Sequence, residues 1–200
     1  MRRRIGATFA LGLAAVAAAA PAWAAGTTTR VSVSSGGVQG NEESTYLSIS
    51  VDGRFVAFLS DATNLVPGDT NGVTDVFVRD RVANRTTRVS LGSGGVEGNW
   101  YAETPAISAD GRFVAFEGGA SNLVPGDNNG LIDVFVRDRV AGRTERVSVS
   151  SGGAQARGGH SGQVSVAISA DGRVVAFQSL ASNLVPGDTN GFEDVFVRSR

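Results

Sequence analysis

The most regular feature of the chain is a short alternation of apolar and polar positions that returns three times. In ISVDGRFVAF, residues 49 to 58, an Asp-Gly pair separates two limbs, the second aromatic and branched. That pattern predicts two antiparallel strands joined by a tight turn, with Gly53 taking positive φ. In DVFVRDR, residues 75 to 81, Val76 and Val78 fall on one side and Phe77 and Arg79 on the other, which predicts a third strand. After a polar turn at 82–85, the β-branched run TTRVSL, 86 to 91, predicts a fourth. Beyond residue 24 no helical stripe occurs, so each unit reads as a four-stranded antiparallel meander.

Residues 49–91 and 107–149 align without gaps, with 32 of 43 positions identical and an offset of 58 residues that maps Asp52 onto Asp110. The third copy, 168–200, lies 61 residues further on, and its extra residues fall in the connector ARGGHSGQ. A fixed period in this range signals supersecondary units set side by side. The stretch TTTRVSVSSGG, from residue 27, matches a fourth strand without its first three; DVFVRSR, from 194, is a third strand without its fourth. A strand at 27–33 that completes the last sheet brings the total to three full blades. The expected fold class is therefore all-β: a β-propeller-type repeat of three four-stranded blades, closed by the N-terminal strand.

ISADGRFVAF and DVFVRDR resemble the WD40-like repeat of TolB-type propellers, with its Ser-x-Asp-Gly-Arg turn, and the longer NLVPGDTNG loop resembles a subset of exported bacterial repeat proteins in that group. The resemblance covers residues 27 to 200 and implies a fold and an envelope-associated partner, not an activity. Propellers ordinarily carry four to eight blades. Three blades thus imply a partial ring, or half of a six-bladed ring shared by a homodimer.

Composition narrows the function. The opening MRRRIGATFALGLAAVAAAAPAWAAG has the charge, apolar run and A-x-A site of a secretory signal peptide, 1–24, leaving 25–200 as an exported product in the periplasm or medium. A retained membrane anchor is the rival reading, against which stands the alanine-rich, weakly apolar character of the run. Without cysteine there is no disulfide framework and no thiolate chemistry. Loss of Arg2, Arg3 and Arg4 leaves 15 basic against 19 acidic groups, a net charge of −4, and no basic surface for nucleic acid.

In a meander, alternate turns share one end of the sheet, so the three NLVPGD loops and the divergent connectors QGNEESTY, EGNWYAET and AQARGGHSGQ are expected on one rim. Within the loops, Asp69, Asn71 and Asp75, then Asp127, Asn129 and Asp133, then Asp188, Asn190 and Asp194 follow D-x-N-G-x-x-D. Two readings are open. Oxygen ligands around a glycine suit calcium, although the bidentate Glu of an EF-hand is missing. Alternatively the Asp and Asn side chains make Asx-turns and Asp75 bonds backbone amides at the start of its strand.

Catalytic candidates are sparse. His160 is the one histidine and stands in a glycine-rich insert, where a solvated side chain is the bland reading. Glu42, Glu43, Glu103 and Glu117 are acids near the connector rim whose bland reading is surface solubility. Trp100 and Tyr101 suit stacking on a sugar or anchoring a protein, or packing against a blade. The sequence thus reads as an exported non-catalytic binding or scaffold module whose partner is a protein or envelope glycan. The alternatives are a carboxylate-dependent hydrolase or lyase, and a calcium-stabilised surface repeat.

Overall fold

A computed structural model describes residues 25–200; the signal peptide expected at 1–24 lies outside the described residues. The chain forms three antiparallel sheets and, among the described residues, no helix. The first sheet is β1 (Ser44–Ile49), β2 (Phe55–Ser60), β3 (Asp75–Asp80) and β4 (Arg85–Arg88) in sequential order. The second repeats it with β5 (Ala102–Ile107), β6 (Phe113–Gly118), β7 (Asp133–Asp138) and β8 (Arg143–Arg146). The third contains β9 (Ser161–Ile168), β10 (Val174–Ser179) and β11 (Asp194–Ser199), and no more.

Each hairpin is set by the Ser-x-Asp-Gly-Arg turn. Ser50 Oγ donates to Asp52 (2.6 Å) and accepts the Phe55 N–H (2.9 Å), while Asp52 accepts the Arg54 N–H (3.0 Å). The same three bonds recur at Ser108 and Asp110, and at Ser169 and Asp171. They satisfy the turn locally, so short strands need no long-range partner to register. The first strand of each sheet starts earlier than its pattern suggests, because a bulge interrupts the alternation. Tyr46 and Thr104 sit at that bulge with φ of 35° and 45°.

Alternation along β2 and β3 divides the apolar residues between two neighbours. Ala57, Leu59, Val76 and Val78 face Val114, Phe116 and Phe135 of the second sheet. Ala115, Val134 and Val136 in turn face Val166, Val175 and Phe177 of the third. Sheets therefore stack in series, first on second and second on third, while strands of the first and third make no comparable contact.

A second device fixes each joint. The Phe55 ring fills the space where a Cβ on Gly111 would stand, 2.1 Å from its nearest carbon, and Gly111 holds φ at +72°. Arg54 and Arg139 lie against the same ring, 4.7 and 4.8 Å from its centroid, and Arg139 donates to the Gly111 carbonyl. Phe113, Gly172, Arg112 and Arg200 repeat the arrangement at the next joint.

The strand expected at 27–33 does not form, and the third sheet has three strands where four were expected. The physical reason lies in what holds the neighbouring residues. Val33 bridges Gln39 in a small hairpin, and Val33 and Ser35 bond Thr86 on β4. Leu91 and Ser93 hold Thr144 in the same way. Residues 31–40 therefore act as the connector leading into the first sheet and are committed to that sheet.

Gly111→Ala is expected to cost more than Gly68→Ala in chemical denaturation. Gly68 also has positive φ, +73°, but a Cβ there meets open space. The first change adds a ring clash to the backbone strain, about 1–3 kcal/mol beyond the roughly 1–2 kcal/mol both share. Equal losses would show that the ring contact does not set the joint.

Candidate functional site

The loops following the second strand of each sheet and the connectors between sheets share one rim. Asn41 pairs with Thr63 and Asn64, and Asn99 with Ser121 and Asn122. Asn64, Asn122 and Asn183 each donate to a connector carbonyl, at Gln39, Glu97 and Gln155. Leu65, Leu123 and Leu184 are buried and pin the loops to their blades, and Gly68, Gly126 and Gly187 take the positive φ that follows proline.

Inside the loop, the position suited to a cation is filled by the protein. Arg88 Nη1 stands 2.8 Å from Asp69 Oδ1 and 2.9 Å from Asp75 Oδ2, and its Nη2 reaches Glu97, with all but Glu97 almost wholly buried. Arg146 stands 2.8 Å from Asp127 and 3.2 Å from Asp133. Asn71 donates to Asp75 (3.0 Å) and to the Gly98 carbonyl (3.1 Å), and Ser90 donates to Asp75. Burial opposes the Arg88 charge, but Asp75, Glu97 and Asp69 outweigh it and raise its pKa. Hydrogen bonds from Thr70, with help from Arg88, hold Glu97 down at about 2.

With a guanidinium between the carboxylates, the first two triplets do not fit calcium as the loop stands. No group of three or more His, Cys, Asp or Glu side chains able to hold a metal occurs among the described residues. The Asx-turn reading agrees with the asparagines, since Asn71, Asn129 and Asn190 accept from Val73, Leu131 and Phe192. Asp75 differs from expectation. Its partners are side chains, and the Val76 N–H goes instead to Ser90 Oγ. In the third copy Asn190 bonds Asp194 (2.9 Å), yet neither Asp188 nor Asp194 forms an ion pair among the described residues.

Trp100 is 57 % exposed, with its ring laid on the Gly119 backbone and 6.1 Å from the Tyr101 ring. It is thus both supported and presented. His160 is not a freely solvated side chain, because its Nδ1 accepts the Ile132 N–H at 2.8 Å and ties the insert to the second sheet. Beside it, Asn128, Asn129 and Leu131 face Gln155 and Arg157 across a polar cleft of about 520 Å³ on the rim.

Glu117 departs furthest from its surface reading. It is 1 % exposed, faces Gly162 of the third sheet, and neither carboxylate oxygen has a hydrogen-bond partner. Burial, with Glu103 and Glu193 nearby, pushes its pKa up to about 7. Glu103 is its cross-strand partner, so the fold does bring two acids together. One of the two, Glu117, is sealed from solvent, while Glu103 is exposed.

The residues that sequence reasoning missed are Arg88 and Arg146. Their signal was present, since each follows the loop aspartate by a constant interval within the repeat.

No family model matches the chain, and no curated protein does. Among solved structures, TolB from Acinetobacter baumannii is similar at 16 % identity over 79 % of this chain and 32 % of its own, with a TM-score of 0.46. Putative TolB from Agrobacterium tumefaciens is similar at 18 % identity over 80 % of this chain and 46 % of its own, TM-score 0.46. The tricorn protease is similar at 14 % identity over 77 % of this chain and 12 % of its own, TM-score 0.43. The chain spans less than half the length of the TolB structures to which it is similar.

Two measurements check the site. Arg88→Met leaves Asp69 and Asp75 buried without a counter-charge and is expected to cost about 3–5 kcal/mol, with Asp69→Asn and Asp75→Asn added to it recovering part of the loss. Chelation and re-addition of millimolar calcium are expected to leave the wild-type melting temperature unchanged, since arginine fills the first two loops. Separately, Glu117 holds its proton to higher pH when folded than its ordinary value of 4.5 allows. Stability is therefore lost as pH rises from 4.5 to about 7, by about 3 kcal/mol, and Glu117→Gln abolishes that slope.

Proposed function

We propose that the chain is an exported, non-catalytic propeller module that binds a protein or envelope glycan through its loop-and-connector rim. One observation carries the reading: the rim combines a rigid repeated framework with unlike connectors, and one of these presents Trp100 on a glycine platform. Constant loops locked by asparagine and arginine positions leave the connectors as the variable element, an arrangement suited to recognition. A half-exposed indole that is already ordered loses little entropy when a ligand stacks on it. The sealed carboxyl of Glu117 and the committed imidazole of His160 weigh against the hydrolase or lyase reading. Filled loop sites weigh against a calcium-stabilised repeat.

Trp100 is the one tryptophan in residues 25–200, so its fluorescence reports on the rim directly. Titration with soluble peptidoglycan fragments, and separately with a solubilised envelope protein fraction, is expected to shift that emission with one of the two. Trp100→Ala should weaken the corresponding retention at least about tenfold without changing the melting temperature, as for a central aromatic anchor. Retention that is indifferent to Trp100 would remove this face from the function.

A further inference from the structure

The Ser-x-Asp-Gly-Arg turns and the turns after the third strands lie at the end of each sheet opposite the rim, since Phe55 pairs with Asp80 and Asp80 with Arg85. Phe113, Asp138 and Arg143 repeat that register, and Val174 pairs with Ser199. The Val51 N–H donates to the Ala109 carbonyl (3.2 Å) and the Ala109 N–H to the Ala170 carbonyl (3.0 Å), which joins the three turns into one face. A net charge of −4 conceals how unevenly the charge is divided. Residues 50–54, 79–85, 108–112, 137–143, 169–173 and 198–200, which build this face, hold eleven arginines and five aspartates, a net +6. The rest of residues 25–200 holds four arginines and fourteen acids, a net −10.

Three of the aspartates, Asp80, Asp138 and Asp171, are already engaged by Arg54, Arg112 and Arg173. Arg85 and Arg143 are exposed and form no ion pair among the described residues. Between the cations the turns present apolar side chains. Val82 stands between Arg81 and Arg85 and is 47 % exposed; Val140 stands between Arg139 and Arg143 and is 78 % exposed. Val51, in the first Asp-Gly turn, is 86 % exposed. The tips are ordered from beneath, because Asp80 accepts the Val82 and Ala83 N–H groups at 3.0 Å and Asp138 accepts those of Val140 and Ala141.

We propose that this face lies on an anionic lipid surface, with its arginines against lipid phosphates and Val51, Val82 and Val140 in the interfacial layer. A guanidinium presents paired donors that match phosphate oxygens, and each arginine near a negatively charged bilayer adds to the attraction. Arginine alone would suit a soluble polyanion equally well. The valines decide for the membrane, because apolar side chains set among cations are stabilised by entering the headgroup boundary and gain little from a polyanion in water. The same surface repels the acidic remainder of the chain. That fixes one orientation, with the rim and Trp100 turned away from the bilayer.

The test is sedimentation of residues 25–200, which contain all three sheets, with vesicles of equal parts phosphatidylcholine and phosphatidylglycerol or of phosphatidylcholine alone. Retention is expected on the first and not on the second, and falls as salt is raised. Arg85→Glu with Arg143→Glu should weaken it at least about tenfold. Val82→Ser with Val140→Ser should weaken it about threefold or more, with circular dichroism unchanged in both variants. Trp100→Ala should leave it as it was, so the outcome is independent of whether the rim binds a ligand. Equal retention by both vesicles would overturn the proposal, and so would charge reversal without effect in a folded variant. Soluble polyphosphate bound as tightly as the anionic vesicles, with the serine variant matching the parent on both, would make the face a polyanion site and no membrane surface.

Discussion

Arginine 88, and its counterpart Arg146, stitch three pieces of chain into one. The loop aspartate, the first residue of the third strand and the arginine at the end of the fourth converge on a single guanidinium. Without that convergence the long loop would be an open excursion, and the fourth strand, only four residues long, would rest on few backbone bonds. The pair is buried, so water competes little for either partner, and Asn71, Ser90 and Glu97 fill most of the remaining hydrogen-bonding capacity. A buried charge network of this kind is costly to break on one side, which gives the loop a single arrangement. That arrangement fixes the path of the rim loop beside the Glu97 connector.

Much of this was legible in the sequence, because the repeat supplies its own comparison. Alternation in ISVDGRFVAF and DVFVRDR marked β2 and β3, and the Asp-Gly pairs marked their turns. What could not be read was anything that depends on which neighbour a residue meets. Glu117 reads as a surface acid from its residue type alone; its counterpart Leu59 is buried, and the packing of β9 against β6 encloses the acid in the same way. The D-x-N-G-x-x-D spacing left calcium ligands and Asx-turns open, and local spacing cannot reveal that a guanidinium arrives from the next strand. The segment at 27–33 shows the same limit. Its likeness to a fourth strand is real, yet the residues just after it belong to the first sheet.

The two ends of the array are chemically unlike. Around β1 to β4 the loop acids share the Arg88 guanidinium; around β9 to β11 Asp188 and Asp194 form no ion pair among the described residues, and Val195 and Val197 are exposed.

The Phe55–Gly111 and Phe113–Gly172 contacts carry a consequence for how such a molecule changes over generations. Each joint between adjoining blades carries its own ring-on-backbone fit in addition to the apolar packing of the sheets. Loss of the first or the second copy from the gene would leave the surviving joint with its aromatic wedge, whereas the third copy carries Val174 at the corresponding place, so a joint built upon that copy would lack the ring.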